Sequence, residues 1–143
     1  MEKYALIILA VLVIVFLAWP AKKKQSTPKY KKGTERQFQI AHAEGEIEVT
    51  ITQGELRVRV DDVTNTHVIE YDFAEKQNEA VGQSLLYAAM DDKRRKAGIV
   101  LILKRKSDWK HVEKLKRNIR YNRLKIDVWT ITNLKDKKVK VKI

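Results

Sequence analysis

The chain has 143 residues, enough for one domain of roughly 100–110 residues plus an N-terminal appendage. Its net charge of +12 is unevenly spread: residues 37–92 carry 3 basic and 12 acidic side chains, and residues 93–125 carry 14 basic and 2 acidic. The absence of cysteine excludes disulfides, thiolate zinc sites and a cysteine nucleophile. An acidic centre beside a basic flank fits a metal site next to a polyanion track, and a solvated lysine-rich surface is the plain alternative.

Tyr4 to Trp19, YALIILAVLVIVFLAW, contains no charged side chain. As a helix it would be about 24 Å long, slightly short of a hydrocarbon core of about 30 Å. Lys3 and Lys22 to Lys24 can snorkel, and Tyr4 and Trp19 suit the interfaces. Residues 1–21 therefore read as a single-pass membrane anchor. A cleaved signal peptide is the alternative, with a poor small-x-small pattern because of Trp19. The basic run that follows leaves the N-terminus outside and the C-terminal domain cytoplasmic, whereas cleavage would export the domain. Residues 22–33, with Pro28, Gly33 and six lysines, form a basic linker. It can lie on anionic headgroups or act only as a topology signal.

The domain spans residues 34–143. TERQFQIAHAEG predicts a short helix with Thr34 as its cap, Phe38 and Ala41 on its inner side and Gly45 at its end. EIEVTIT and ELRVRVD alternate apolar and polar residues around Gln53-Gly54, which predicts a hairpin. HVIEYDF is a third strand. Glu75 to Met90 is a helix with Val81, Leu85, Leu86 and Ala89 at helical spacing. IVLIL predicts a strand buried on both faces. Ser107 or Asp108 can cap a helix whose inner side is Trp109, Val112, Leu115 and Ile119. LKIDVWTI is the last full strand, and the lysine-rich tail adds one more or frays. The order αβββαβαβ predicts an α/β sandwich with a mixed central sheet.

Acidic residues end the second strand (Asp61, Asp62) and punctuate the third (Glu70, Asp72). Gln83 and Tyr87 follow, four residues apart on one helix. This arrangement, RVDDV with Glu70 nine positions after Asp61 and then GQSLLY, resembles the PD-(D/E)XK nuclease superfamily. The resemblance is to its RecB-like branch with a Gln-x-x-x-Tyr helix motif, over residues 34 to about 131. It implies a restriction-endonuclease-like fold, a Mg²⁺ cofactor with Mn²⁺ as substitute, and nucleic acid, DNA first, as substrate. It assigns Asp61 and Glu70 as metal ligands and Gln83 as part of the catalytic group. The family's lysine would stand at position 72, which is Asp72 here. Lys76, one turn into the next helix, is the candidate to reach back. Without such a lysine the domain would bind metal or nucleic acid and cut poorly.

The chemistry is consistent with the residue types. Two carboxylates on adjacent strands can converge on one Mg²⁺, which takes one or two protein carboxylates and keeps several waters. A nearby lysine stabilises developing charge. Gln83 and Tyr87 can hold the ligands or meet the substrate backbone. Strict strand parity puts Asp62, not Asp61, on the face of Val58 and Val60; a bulge would swap them, and the family-like run favours Asp61. Asp72 with Glu75 three residues later reads as a helix N-cap, or else as a third ligand. Glu35 and Glu48 are candidate supplementary acids with surface roles as the alternative, and His67 borders the site. Lys104, Arg105, Lys110, Lys114 and Arg117 form a candidate phosphate track with Tyr87, and the membrane surface is its rival partner. Trp109, Tyr121 and Trp129 are expected in the core.

Overall fold

A computed structural model describes residues 33–143. The predicted anchor and nearly all of the linker lie outside the described residues. Among the described residues no helix is long and apolar enough to cross a membrane.

Helix α1 (Glu35–His42) opens on a reciprocal cap: Gln37 N donates to Thr34 Oγ1 at 3.3 Å, and Thr34 N donates to Gln37 Oε1 at 2.9 Å. This satisfies two of the orphan donors at a helix start. Phe38 is buried as expected, but Ala41 is exposed and Gln39 takes the inner place. A buried amide needs a partner, and Gln39 Nε2 donates to the Asp61 carbonyl at 2.6 Å.

The predicted hairpin forms from β1 (Glu46–Gln53) and β2 (Leu56–Val63), paired from Gln53↔Leu56 to Glu46↔Val63. β3 (His67–Phe73) runs antiparallel to β2, but only Asp62↔Ile69 and Val63↔Val68 pair. A 3₁₀ turn, Ala74–Lys76, leads into α2 (Gln77–Met90). β4 (Lys96–Ile102) returns parallel to β3. A second 3₁₀ turn, Lys106–Asp108, precedes α3 (Trp109–Asn122), and β5 (Ile126–Ile131) lies parallel to β4. The tail adds a two-residue strand, β6 (Val139–Lys140), antiparallel to β5. The chain is thus α/β with a mixed six-stranded sheet in the order β1-β2-β3-β4-β5-β6 and three α-helices.

β4 is buried on both faces, as its unbroken apolar run requires. Ile99 and Leu101 face α2 and α3, where they meet Val81, Val112, Leu115 and Ile119. Val100 and Ile102 face the other way, with Phe38, Ile69, Tyr71 and Ile131. Each such aliphatic side chain contributes about 1.5–3 kcal/mol by leaving water. On α2 the inner stripe differs from the expected one. Ala80, Val81, Ser84, Tyr87 and Met90 are buried, while Leu86 is 46 % exposed and Ala89 is exposed. A hydrogen bond from Tyr87 to β3 turns that side of the helix inward and leaves Leu86 outside. Trp109 is partly exposed, Trp129 is half-buried and Tyr121 is 89 % exposed, so the expected aromatic core does not form around Tyr121.

Between α1 and β1 the chain passes very close to β2. A Cβ placed on Gly45 would lie 2.0 Å from the Val63 carbonyl oxygen. At Gly82, on the outer side of α2, it would meet nothing within 4 Å. Gly45→Ala is therefore expected to destabilise the fold by about 1–3 kcal/mol. Gly82→Ala is expected to stabilise it by about 0.5–1 kcal/mol through helix propensity. Urea unfolding of the two variants beside the parent protein checks both signs.

Candidate functional site

The site begins where β2 leaves β3. One step beyond the Asp62↔Ile69 pair, the Asp61 side chain replaces the strand: its Oδ2 accepts the Tyr71 N–H at 2.8 Å. Across the hairpin from Asp61, Glu48 takes a left-handed backbone conformation with φ 58°. This distortion breaks the regular alternation of side chains along β2. Val60 and Val63 both pack towards Tyr87 on the α2 face. Asp62 goes to the opposite face, fully buried, where it accepts N–H bonds from Gly45 (2.9 Å) and Glu44 (3.1 Å) and the Tyr71 hydroxyl (3.4 Å).

Strict parity fails here, and the swapped arrangement is the one observed. Asp61 stands beside Glu70, and Asp62 ties the α1–β1 connection to the sheet. Its charge is met by backbone donors, so Asp62 is not among the cleft residues.

A cleft of about 380 Å³ opens over Asp61 and Glu70, with Glu35, Gln83, Leu86 and Tyr87 on its walls. Glu70 is only 5 % exposed, and the Tyr87 hydroxyl donates to its Oε2 at 2.8 Å. Burial first, and then the charge on Asp61, push the Glu70 carboxyl up to about 8. Burial also raises Asp61, partly offset by the Tyr71 N–H and by a hydrogen bond from Glu70. Both shifts oppose ionising the two carboxyls together. A second pair lies next to it. Burial and then the charge on Asp72 raise Glu35 to about 7, and burial raises Asp72 as well.

Lys76 reaches back from the 3₁₀ turn, as the sequence suggested, but to the second pair. Its Nζ lies 3.4 Å from Asp72 and 4.0 Å from Glu35. Those two carboxylates, Asp72 first, raise its pKa. Asp72 does not form the expected capping box: its Oδ1 accepts the Phe73 N–H at 2.8 Å, and the following turn has no side-chain cap. Glu75 instead pairs with Lys104 at 2.7 Å. Gln83 is exposed on the cleft wall. Glu48 is occupied by Arg36 and Arg59. His67 is away from the cleft, 2.9 Å from Asp127.

The basic candidates are not gathered at the cleft. Lys104 also lies over the Phe73 ring at 3.7 Å, and Arg105 pairs with Asp108 at 3.1 Å. Lys110, Lys114 and Arg117 are exposed on α3, which packs on β4 and β5, so α2 stands between them and the cleft. Asp72 and Glu35 are the residues whose part in the cluster was least legible; the i, i+4 spacing of Asp72 and Lys76 was the available signal.

Among the described residues no group of three or more histidines or acids is arranged to hold a metal ion. The Asp61–Glu70 pair fits the smaller demand of Mg²⁺ or Mn²⁺, which takes one or two carboxylates and keeps waters. Two neighbouring carboxyls that burial keeps from ionising together are chemically suited to release a proton in exchange for a divalent cation.

The raised Glu70 carboxyl makes a signed prediction. Its ordinary value is 4.5 and its folded value about 8. The folded state thus binds the proton more tightly than the unfolded chain, so this contribution to stability is complete below 4.5 and is lost as pH rises through 8. In EDTA the melting temperature should fall between pH 5 and pH 8. Glu70→Gln should flatten this slope and melt several degrees higher than the parent at pH 8. Thermal melts across that range, with and without Mg²⁺, measure it; Mg²⁺ should raise the parent at pH 8 and leave Glu70→Gln largely unmoved.

No protein-family model, no curated protein and no solved structure gives a significant match to this chain.

Proposed function

We propose that this domain is a Mg²⁺-dependent nuclease of the restriction-endonuclease-like kind, tethered to the membrane through residues 4–19, with the domain on the cytoplasmic side. The observation that carries the reading is the Asp61–Glu70 pair: two carboxyls at a strand fork, each held by a hydrogen bond, on the floor of an open cleft. A phosphodiester has two needs: a cation beside its non-bridging oxygen and an activated water. A divalent ion bound by the pair would supply both.

The chain's own residues have separate tasks in this reading. Tyr71 N–H fixes one carboxylate and Tyr87 the other, so the ligands are held before substrate arrives. Gln83 and Leu86 stand on the cleft wall, where Gln83 can bond the substrate backbone. Lys76 places a positive charge beside the acidic cluster, half exposed and able to face the scissile phosphate.

A second reading has its own observation. Lys76 contacts the Asp72–Glu35 pair. If it stays there, the domain is a catalytically weak module that binds nucleic acid at the membrane. One experiment separates the two. The full chain in non-ionic detergent is incubated with plasmid and linear DNA in Mg²⁺, Mn²⁺ or EDTA. The nuclease reading expects metal-dependent cutting, abolished in Glu70→Ala and reduced about 10²–10³-fold in Lys76→Ala. A folded protein that binds DNA and never cuts it sinks that reading and leaves the binding module.

A further inference from the structure

Val112, Leu115 and Ile119 commit one side of α3 to the core. At 100° per residue, Lys110, Lys114, Arg117 and Tyr121 fall within about 60° of one another on the outer side and extend over about 16 Å. All four are exposed, and Tyr121 is 89 % exposed. A tyrosine ring left almost wholly in water among cations is an unusual placement for a side chain with so much apolar surface to bury.

The C-terminal end of α3, where Tyr121 stands, borders a pocket of about 660 Å³ through Ile119 and the following Leu124. Ile119, Leu124, Ile126 and Val141 line it with apolar surface, and Lys96, Lys125, Lys140 and Lys142 bring cations to it. Asp127 also lines it, but that carboxylate is engaged by His67 at 2.9 Å and Lys140 at 3.1 Å. The volume is in the range of small-molecule sites. An apolar floor among lysines suits a ligand with a flat, weakly polar body and attached anionic groups, which describes one nucleotide unit.

An anionic membrane would attract the same charges. A helix that lies in a bilayer surface, however, offers several large apolar side chains to the acyl layer. On α3 Val112, Leu115 and Ile119 are in the core, and only Tyr121 and the partly exposed Trp109, at opposite ends of the helix, are left as large apolar side chains outside it. An exposed aromatic set in a basic track is the arrangement that binds unstacked bases. The outer side of α2, between this belt and the acidic cleft, offers a passable ridge: its single charged residue is Glu79, and Gly82 leaves open space.

We propose that the α3 stripe and the lysine-rimmed pocket form one binding surface for single-stranded nucleic acid. Lys110, Lys114 and Arg117 hold phosphates, Tyr121 stacks a base, and the pocket receives an adjoining nucleotide. The proposal rests on the nucleic-acid part of the reading above and is independent of the metal site.

The test uses the full chain in non-ionic detergent with EDTA, so that nothing is cut. Fluorescence anisotropy follows a labelled oligonucleotide, single-stranded and as its duplex, over a salt series. The single strand should bind more tightly than the duplex. Tyr121→Ala should weaken single-strand binding about 5- to 150-fold and Tyr121→Phe should retain it. Lys125→Glu and Arg117→Glu should weaken binding and flatten its salt dependence. Equal affinity for both forms, or no effect of Tyr121→Ala, overturns the proposal. So does binding of anionic vesicles that depends on these residues while oligonucleotides fail to bind. Metal-dependent cutting that is lost in Glu70→Ala but unaffected by Tyr121→Ala would sink this surface and leave the nuclease reading intact. Single-strand binding without cutting would do the reverse.

Discussion

The parting of β2 from β3 at Asp61 is the constraint on which the rest of the cleft depends. A buried backbone N–H without a partner costs about 1–3 kcal/mol. Tyr71 would have such an N–H where its neighbouring strand departs, and Asp61 supplies the acceptor. The carboxylate thereby becomes part of the sheet's hydrogen bonding and is held in place by it. The left-handed Glu48 across the hairpin allows the change of face, and Arg36 and Arg59 hold the Glu48 side chain. Two adjacent aspartates then serve opposite sides of one sheet. Asp62 closes the α1–β1 connection through Gly45, where no larger residue fits, and Asp61 faces the cleft.

Charge is segregated in space as it is in sequence. Glu35, Asp61, Glu70 and Asp72 cluster at the fork, with Lys76 in contact with Asp72 and Arg59 on the cleft wall. The fourteen basic residues of 93–125 lie mainly beyond α2, on α3 and the turns beside it. The separation has a physical consequence. Lysines brought next to the fork would neutralise the carboxylates and compete with a divalent ion. Held on the far side of α2, the basic surface attracts polyanions without shutting the acidic site. Lys104 shows the alternative outcome: near the fork end of the sheet it is already bound to Glu75 and to the Phe73 ring.

The elements were legible because each carries a strong local signal. Alternation marks the hairpin, the unbroken run marks β4, and the 3.6-residue spacing marks α3. Asp61 beside Glu70 was expected from the family-like run RVDDV, against strict strand parity, which pointed to Asp62. What was not legible came from contacts between elements. Gln39 faces inward because of the Asp61 carbonyl, and Leu86 faces outward because Tyr87 bonds Glu70. No single-helix pattern contains either partner. The exchange of Asp61 and Asp62 required a backbone distortion at Glu48, a residue type with no special preference for positive φ. Tyr121 was misplaced for a different reason: apolar area argued for the core, although the stripe of Val112, Leu115 and Ile119 already turned it to the opposite side of the helix.

Site and stability oppose each other in this domain. The burial that raises Glu70 and Asp61, and with them Glu35 and Asp72, disfavours the ionised folded state near neutral pH. Apolar burial works against that penalty, and β4 contributes to it on both faces through the fully buried Ile99, Val100, Leu101 and Ile102. A cation bound at the pair would act in the same direction as protonation of Glu70. Binding to the folded state alone adds RT ln(1 + [L]/Kd) to stability. In the proposed function, metal occupancy and folding are therefore one linked equilibrium. The acidic fork is then a place where the chain accepts instability in its free form because the bound form repays it.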